Sequence, residues 1–252
     1  MLSKNQIKEI QSLQLKKFRD AQHLFIAEGI KTVLELIAHK PELIKEVFAT
    51  RDFFETNRGT LAKLQIKCSE INEAELTKIS LQHTPNHALA VCYYFRQQNT
   101  TFNFDTHFSM YLDDVRDPGN FGTMLRLADW FGISTVFCSP SSCDFYNPKV
   151  IQASMGAFLR VALVYAELEE LKRDRTIGVI YGAVLNGESI YKKKVQNGLL
   201  VIGNEANGIR ETTMQHIDQK ITIPAHASNG TESLNAAVAA SILVSEFFRQ
   251  LN

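Results

Sequence analysis

Three loops in the second half of the sequence carry the side chains best suited to chemistry. The first, residues 113–122, reads DDVRDPGNFG. Asp117 is a residue type that caps helices and Pro118 suits a first helical position, so a capped helix should follow. That helix carries Arg126 about one and a half turns beyond Asn120, from where it can reach back over the loop. The plain structural alternative is a well-capped helix with a surface arginine.

The second loop, residues 203–209, reads GNEANGI. Gly203 and Gly208 let the backbone turn tightly and approach a ligand closely. Glu205 either holds a substrate hydroxyl or amine, or only caps the next helix through its charge. No Lys-Ser/Thr pair follows Gly208, and the spacing is not G-x-G-x-x-G. The loop therefore matches neither the P-loop nor the dinucleotide-binding fingerprint.

The third loop follows Ile223-Pro224 and reads AHASNGTESLN over residues 225–235. A helix rich in alanine comes next, and Ser233 is the N-cap that we expect for it. Such a helix can pack closely against another backbone. His226 is a loop histidine for which a catalytic role is the less favoured interpretation.

The elements that must position these loops alternate along the chain. Apolar runs of strand length are separated mostly by helical patterns, and they lie at 108–112, 135–138, 161–164, 177–183, 198–202 and 221–223. This alternation predicts a parallel sheet with helices on both faces. Ligands bind beyond the carboxyl ends of the strands in such sheets, which is where all three loops fall.

The first hundred residues read as a smaller α/β unit. Helical spacing covers 5–18, 30–37, 59–65 and 72–80, and strand-like runs cover 25–27, 47–49 and 88–95. Residues 96–106, RQQNTTFNFDT, are polar and lack periodicity, which is typical of a linker. We therefore expect one domain at 1–98 and a second at 106–252.

Composition and charge exclude several protein classes. The 252 residues are 45% hydrophobic and 21% charged, as in globular proteins. No apolar run approaches the roughly 18 residues of a bilayer span, and the start of the chain lacks the apolar segment of a secretory signal. We expect a cytoplasmic protein without membrane contact. Net charge is zero, but residues 1–100 hold 14 basic and 11 acidic residues, and the first 19 residues hold Lys4, Lys8, Lys16, Lys17 and Arg19 against Glu9 alone. Such a basic face points to a polyanion, whereas the more common explanation is a solvated helix surface.

Metal binding is not expected from the cysteines. Cys68, Cys92, Cys138 and Cys143 form no CxxC pair and have no histidine at ligand spacing. A zinc site needs four ligands in tight pairs. We expect reduced cysteines that act as small buried apolar residues.

Taken together, the three loops resemble the three motifs of the SpoU (TrmH-like) branch of the SPOUT RNA methyltransferases, over about residues 108–248. The matching patterns are Asp-Val-x-Asp-Pro-x-Asn-x-Gly with an arginine six residues after the asparagine, then Gly-Asn-Glu-x-x-Gly, then Ile-Pro followed by Glu-Ser-Leu-Asn. The first hundred residues resemble that family's small RNA substrate-binding domain less specifically, through residues 16–19 and 27–29.

The resemblance implies an α/β fold with a C-terminal trefoil knot, a homodimer packed through the first-motif and C-terminal helices, and S-adenosylmethionine as donor. The reaction implied is metal-free methyl transfer to a ribose 2′-oxygen of RNA, with ribosomal RNA favoured over tRNA and no DNA partner. The alternatives are a tRNA 2′-O-methyltransferase and an RNA-binding relative that has lost catalysis.

The resemblance also implies the site residues. Those expected to be catalytic are Arg126, Asn120, Glu205, Ser233 and Asn235. Those expected to bind the donor are Gly203, Ile223, Leu234, Leu185 and Ile202. Arg126 either assists deprotonation of the 2′-hydroxyl or stabilises the developing alkoxide, and we prefer the second because arginine is nearly always charged. Two departures are Ala206, where many relatives have glycine, and a loop after Pro224 that is longer than is common.

Overall fold

The computed structural model describes residues 2–61, 66–95, 104, 107–174, 177–226 and 230–251. Its contacts divide the chain into two units, one formed by residues 1–96 and 144–159 and the other by residues 97–143 and 160–252. The predicted linker at 96–106 lies outside the described residues, except for Phe104.

The helices and strands follow in chain order. Up to residue 96 they are α1 (Lys4–Ser12), α2 (Lys16–Gln22), β1 (Leu24–Glu28), α3 (Ile30–His39), β2 (Ile44–Ala49), α4 (Arg51–Leu61), β3 (Cys68–Glu70), α5 (Glu73–Ile79) and β4 (Ala88–Tyr93). Beyond it they are β5 (Ser109–Leu112), α6 (Pro118–Trp130), β6 (Thr135–Cys138), α7 (Pro148–Ser154), β7 (Ala162–Tyr165), α8 (Leu168–Asp174), β8 (Val179–Ser189), β9 (Gly198–Ile202), α9 (Glu211–Met214), β10 (Gln219–Thr222) and α10 (Ala236–Leu251).

The first unit is built on a four-stranded mixed sheet in the order β1-β4-β2-β3. Strand β4 is antiparallel to both β1 and β2, and β3 is parallel to β2. Residues 144–159 belong to this unit, where the ring of Tyr146 lies 5.0 Å from that of Phe25 and stacks on Tyr94 at 3.8 Å. Strand β3 was not predicted because its three residues, CSE, carry no apolar alternation.

The predicted single helix at 5–18 is wrong, because the chain turns between α1 and α2. Arg19 stabilises this turn: its Nη1 donates to the carbonyls of Leu13 (2.9 Å) and Gln14 (2.7 Å). Its Nη2 donates to Asp144 at 2.5 Å, and only 2% of the side chain is exposed. The prediction that Arg19 belongs to a basic surface is therefore wrong, since its charge is paired with Asp144 inside the unit.

The second unit contains a parallel six-stranded sheet in the order β10-β8-β9-β5-β6-β7, which confirms the predicted sheet type. From β5 the chain proceeds to β6 and β7 at one edge. The later strands are added on the other side, and β9 is inserted next to β5. The connections after β5 and β9 thus leave these neighbouring strands in opposite directions. Such a switch point opens a crevice at the carboxyl ends of the strands.

Helices α6 and α10 pack together in this unit. The ring of Phe247 on α10 lies 4.6 Å from Phe108 and 4.9 Å from Tyr181. Ala236, Ala237 and Ala240 are buried, so the small side chains of α10 are used for close packing. The packing fixes where α10 begins and thereby where the third loop ends.

The cysteines only partly follow expectation. Cys92 and Cys138 are buried, and burial raises the pKa of both thiols. Cys68 is exposed, so the expectation of burial is wrong for it. Among the described residues, no three His, Cys, Asp or Glu side chains are grouped so as to hold a metal ion. In the same part of the chain, no helix combines the length and apolarity that crossing a membrane requires.

Candidate functional site

The first loop leads from β5 into α6 as predicted. Asp117 caps the helix by accepting a 2.7 Å hydrogen bond from the backbone N of Asn120, and Pro118 is the first helical residue. Because the cap holds the first turn, it also fixes the position of the Asn120 side chain. Earlier in the loop, Asp114 has a positive φ of 57°.

The second loop is closed on itself. The backbone groups of Asn204 and Gly208 exchange two hydrogen bonds of 2.9 Å. A Cβ at residue 203 would lie 2.3 Å from the carbonyl carbon of Gly208, so only glycine fits at Gly203. The side chain of Asn204 donates to the carbonyl of Asp114 at 2.8 Å. The second loop is therefore tied to the first, and it presents Glu205 at its exposed turn.

The third loop ends at a helix cap that differs from the one expected. Asn235, not Ser233, caps α10, because its Oδ1 accepts from the backbone N of Ala237 (3.0 Å) and Val238 (3.2 Å). Both residue types are good caps. Residues 227–229 of this loop lie outside the described residues, so the departure noted in its length is described only in part.

Two hydrogen bonds donated by side-chain amides join the three loops. Asn235 donates from Nδ2 to Oδ1 of Asn120 at 2.9 Å. Asn120 in turn donates from Nδ2 to Oε1 of Glu205 at 2.7 Å. The structure thus brings together three of the five residues expected to be catalytic. Glu205 is bound by Asn120, and the next helix, α9, begins at Glu211 with Arg210 as its N-cap, so the alternative that Glu205 caps that helix is wrong.

Arg126 and Ser233 complete the set of expected catalytic residues without joining this chain of hydrogen bonds. Both side chains are exposed. Within the described residues neither forms a side-chain hydrogen bond or ion pair. Arg126 lies on the outer side of α6, whose buried positions are occupied by its neighbours Met124, Leu125 and Ala128. Its guanidinium is therefore available to a ligand.

The expected donor-binding residues divide into two kinds. Leu185 and Leu234 are exposed large apolar side chains, at 69% and 48%. Thr222 donates from Oγ1 to the carbonyl of Leu185 at 3.1 Å, which places Leu185 beside the residue that precedes Ile223. Ile202 is different: its side chain is buried, and its carbonyl accepts from the backbone N of Asp113 at 2.8 Å.

One part of the site was missed by sequence reasoning. Asp113, fully buried, accepts hydrogen bonds from the backbone N of Arg210 at 2.7 Å, from its Nε at 2.8 Å and from Thr213 Oγ1 at 2.9 Å. Arg210 also pairs with Glu167 at 2.7 Å. Its hydrogen bond to Glu167, with a further one to Asp113, raises the pKa of Arg210. A carboxylate directly after a buried strand was visible in the sequence, but nothing local indicated its partner 97 residues away.

The arrangement fixes the carboxylate of Glu205 beside helix α6, which also carries the guanidinium of Arg126. Asn120 engages Oε1 of Glu205, and no other side-chain partner of Glu205 occurs in the part of the chain that is described. Oε2 is therefore open to a hydroxyl or amine, while Arg126 can bind a negatively charged group. Such a pair suits a reaction in which a hydroxyl loses a proton.

Comparison with family models finds two matches. The model described as the SpoU rRNA Methylase family matches residues 107–245. The MRM3-like substrate binding domain matches residues 4–90.

Individual proteins agree with these matches. The chain is 30% identical over 250 residues to the 23S rRNA (guanosine(2553)-2′-O)-methyltransferase RlmP of Bacillus subtilis, covering 96% of each chain. It is similar in structure to a TrmH-family protein from Porphyromonas gingivalis, with a TM-score of 0.82, 35% identity and 99% of each chain covered. An AdoMet-bound rRNA methyltransferase from Sinorhizobium meliloti matches with a TM-score of 0.84 and 25% identity, covering 100% of this chain and 97% of that one.

Proposed function

Because the chain belongs to the SpoU rRNA methylase family, we propose that it transfers a methyl group from S-adenosylmethionine to the ribose 2′-oxygen of a guanosine in 23S rRNA. The enzyme class follows from the family. The choice of 23S rRNA and of guanosine rests on the names of relatives such as RlmP, which align over nearly the whole chain.

One observation carries the catalytic part of the proposal: Asn120 links Glu205 and Asn235 through its two amide atoms. Three loops that are far apart in sequence are thereby held in one arrangement. We take these contacts to favour an enzyme over an RNA-binding relative that has lost catalysis. Preorganised polar groups are the usual way in which an enzyme favours a transition state.

Arg126 acts on the developing charge. A ribose hydroxyl is a weak nucleophile that must lose its proton as it attacks. Because an arginine guanidinium carries a positive charge, Arg126 is suited to stabilise the forming alkoxide or an adjacent phosphate. Glu205 and Asn120 orient the ribose, with Oε2 of Glu205 accepting the hydrogen bond of the 2′-hydroxyl. The proton of that hydroxyl passes to solvent at this exposed site as the methyl–sulfur bond of the donor breaks and the bond from the methyl group to the 2′-oxygen forms. Ser233, exposed just before Asn235, completes the proposed contacts to the substrate.

The donor site is proposed at the carboxyl ends of β8, β9 and β10. S-adenosylmethionine supplies an electrophilic methyl group when bound. The exposed side chains of Leu185 and Leu234 fit an adenine ring, because large apolar side chains otherwise avoid water. Ile223 and the backbone at Gly203 lie at the same edge, and Ile202 would contribute through its backbone alone. The proposed reaction needs no metal.

The proposal assigns RNA binding to the N-terminal region. We take residues 1–98 as a substrate-binding domain and 106–252 as the methyltransferase domain, with the family matches as support. Residues 144–159 are the part of the second range that packs within the first unit. The exposed Lys16 and Lys17 can contact phosphates, whereas Arg19 stays inside the unit. A reaction on ribosomal RNA agrees with the cytoplasmic location expected from the sequence.

A homodimer and a trefoil knot are also part of the proposal. Trp130 on α6 is 84% exposed and Val238 on α10 is 48% exposed, so these packed helices offer an apolar face to a second copy. A knot is supported by where the third loop starts and where it ends. It starts at the edge strand β10 and ends at Asn235, which binds Asn120 on the helix after β5, and the strands β8 and β9 lie between β10 and β5 in the sheet.

The test is methyl transfer from tritiated S-adenosylmethionine to in vitro-transcribed 23S rRNA, followed by mapping of the modified nucleotide. We expect incorporation at one 2′-oxygen of a guanosine, in the presence of excess chelator. Transfer to bulk tRNA in place of 23S rRNA would favour the tRNA alternative. Donor binding without transfer to either RNA would favour a relative that has lost catalysis.

A further inference from the structure

Arg116 lies in the first loop, and the mechanism above gives it no role. Its side chain is 68% exposed, whereas the Asp114 side chain with which it pairs is only 7% exposed. An arginine that remains in water has no need of a nearly buried carboxylate to neutralise it. The pair therefore points to a requirement on where the guanidinium is held.

The carboxylate of Asp114 is fixed by its backbone. Asp114 adopts a left-handed conformation, with φ of 57°, which glycine, asparagine and aspartate adopt more readily than other residues. Its backbone N donates to Ser139 Oγ at 2.8 Å, and its carbonyl accepts from Asn204 Nδ2 at 2.8 Å. These bonds hold Asp114 in this conformation, so the anchor for Arg116 has one position.

The anchor engages only part of the guanidinium. Arg116 donates from Nε to Oδ1 of Asp114 at 2.9 Å, and its two terminal nitrogens have no partner among the described residues. Arg249 provides the contrast, because both its Nε and its Nη2 bind Glu246. The terminal pair of Arg116 is thus left as a fork that can bind two oxygens of one phosphate.

We propose that Arg116 binds an RNA phosphate next to the ribose at the catalytic site, and that Asp114 holds it in position for this. The proposal rests on the proposed function, since it assumes an RNA substrate. Arg116 comes four residues before Asn120, and its anchor is bonded to Asn204, the neighbour of Glu205. The exposed carboxylates of Asp117 and Glu205 would repel a polyanion, so a positioned cation is needed at this edge.

The first test is Arg116→Gln in the full chain, with in vitro-transcribed 23S rRNA as the probe. Losing a charge-assisted pair should raise the KM for RNA, and the Kd for RNA measured without donor, by about 10- to 100-fold. Donor affinity and melting temperature should stay near those of the wild type.

Arg249→Gln is the matched control. Arg249 is also 68% exposed and pairs with a carboxylate that is 10% exposed, but it lies at the far end of α10 from Asn235. The Arg249→Gln substitution removes one positive charge, as Arg116→Gln does, and should leave RNA affinity near that of the wild type. An Arg116→Gln variant that binds RNA as the wild type does, or loses no more affinity than Arg249→Gln, would overturn the proposal.

Asp114→Asn tests the positioning role, because asparagine tolerates left-handed backbone and only the charge is lost. If Asp114 merely neutralised Arg116, its removal would strengthen RNA binding. We expect weaker binding instead, with no further loss when Asp114→Asn is combined with Arg116→Gln. Stronger binding would refute the positioning role. If the wild type binds RNA but methylates none, the proposed function fails, while the affinity series still decides the role of Arg116.

Discussion

Asn120 donates to Glu205 at 2.7 Å, and its side-chain oxygen accepts from Asn235. The direction of each bond is thereby fixed, because an amide nitrogen only donates and a carboxylate only accepts. Among the residues that the structure describes, Asn120 is the point at which all three loops of the proposed site are connected. Exchanging the donor and the acceptor between residues 120 and 205 tests this connection.

Asn120→Asp should lower kcat, because a carboxylate at this position has no donor for Glu205 and repels it. Combining Asn120→Asp with Glu205→Gln should restore part of the activity, since the amide at 205 can then donate to residue 120. Single-turnover methyl transfer measures both. If the double variant is as inactive as the product of the two single losses, the hydrogen bond does not carry the effect.

Arg126→Ala should lower kcat by about 10²–10³, the effect of removing a group that stabilises developing charge. Its side chain is exposed, so the cost to stability should stay within about 0.5 kcal/mol. Donor affinity is the control, and Arg126→Lys should rescue poorly because it lacks the planar fork. Transfer within about threefold of the wild type, well inside that range, would move attention to Glu205. A large fall in melting temperature would indicate a structural role instead.

Asp113→Asn should destabilise the second unit. Removing one partner of a buried ion pair costs about 3–5 kcal/mol, and Arg210 would lose a charged acceptor for its side chain and backbone N. Urea unfolding monitors the change. Arg160→Gln, which breaks the more exposed pair with Asp129, is the comparison and should cost no more than about 1 kcal/mol. Equal costs would mean that burial of Asp113 has no energetic weight.

Glu246 should contribute to stability in a pH-dependent way. Its hydrogen bonds from Arg249 and Gln250 lower its pKa from 4.5 to about 2. A carboxyl whose pKa is lowered in the folded state stabilises the fold at any pH above the pKa of the unfolded state. This contribution to stability is lost as the pH falls from 4.5 towards 2. The difference in urea midpoint between the wild type and Glu246→Gln should therefore shrink between pH 7 and acid pH. A constant difference would contradict the pKa shift.

Lys16→Gln combined with Lys17→Gln should weaken RNA binding and reduce its salt dependence. Each lost phosphate contact lowers the slope of log K against log salt by about 0.7–0.9. Arg19 is left unchanged because its removal would break the buried pair with Asp144. Donor affinity should not change. An unaltered salt slope would show that the two lysines are only a solvated helix surface.

The sequence predicted the sheet type but not the order of its strands. Alternating apolar runs and helical patterns are enough to indicate a parallel sheet, and all six strand positions were located. That β9 lies between β8 and β5 was not predictable, because periodicity describes each segment and not its neighbours. The same limit applies to Arg19, whose partner Asp144 is 125 residues away.

For the site, the motifs identified the residues, whereas the contacts between those residues are visible only in the structure. Asn120, Glu205 and Asn235 were identified from their motifs, but the central place of Asn120 requires contacts across 85 and 115 residues. The cap of α10 was misassigned because serine and asparagine have similar capping preferences. Only the backbone geometry shows that Asn235 is adjacent to the first helical residue.

The assignment of residues 144–159 to the first unit has a consequence for synthesis on the ribosome. Nascent domains generally fold in order of emergence from the amino terminus. Here the guanidinium of Arg19 receives its carboxylate, and the ring of Phe25 its contact with Tyr146, only after β5, α6 and β6 have been translated. The first unit therefore completes its folding late, and a fragment ending at residue 96 would leave a buried cation without its counterion.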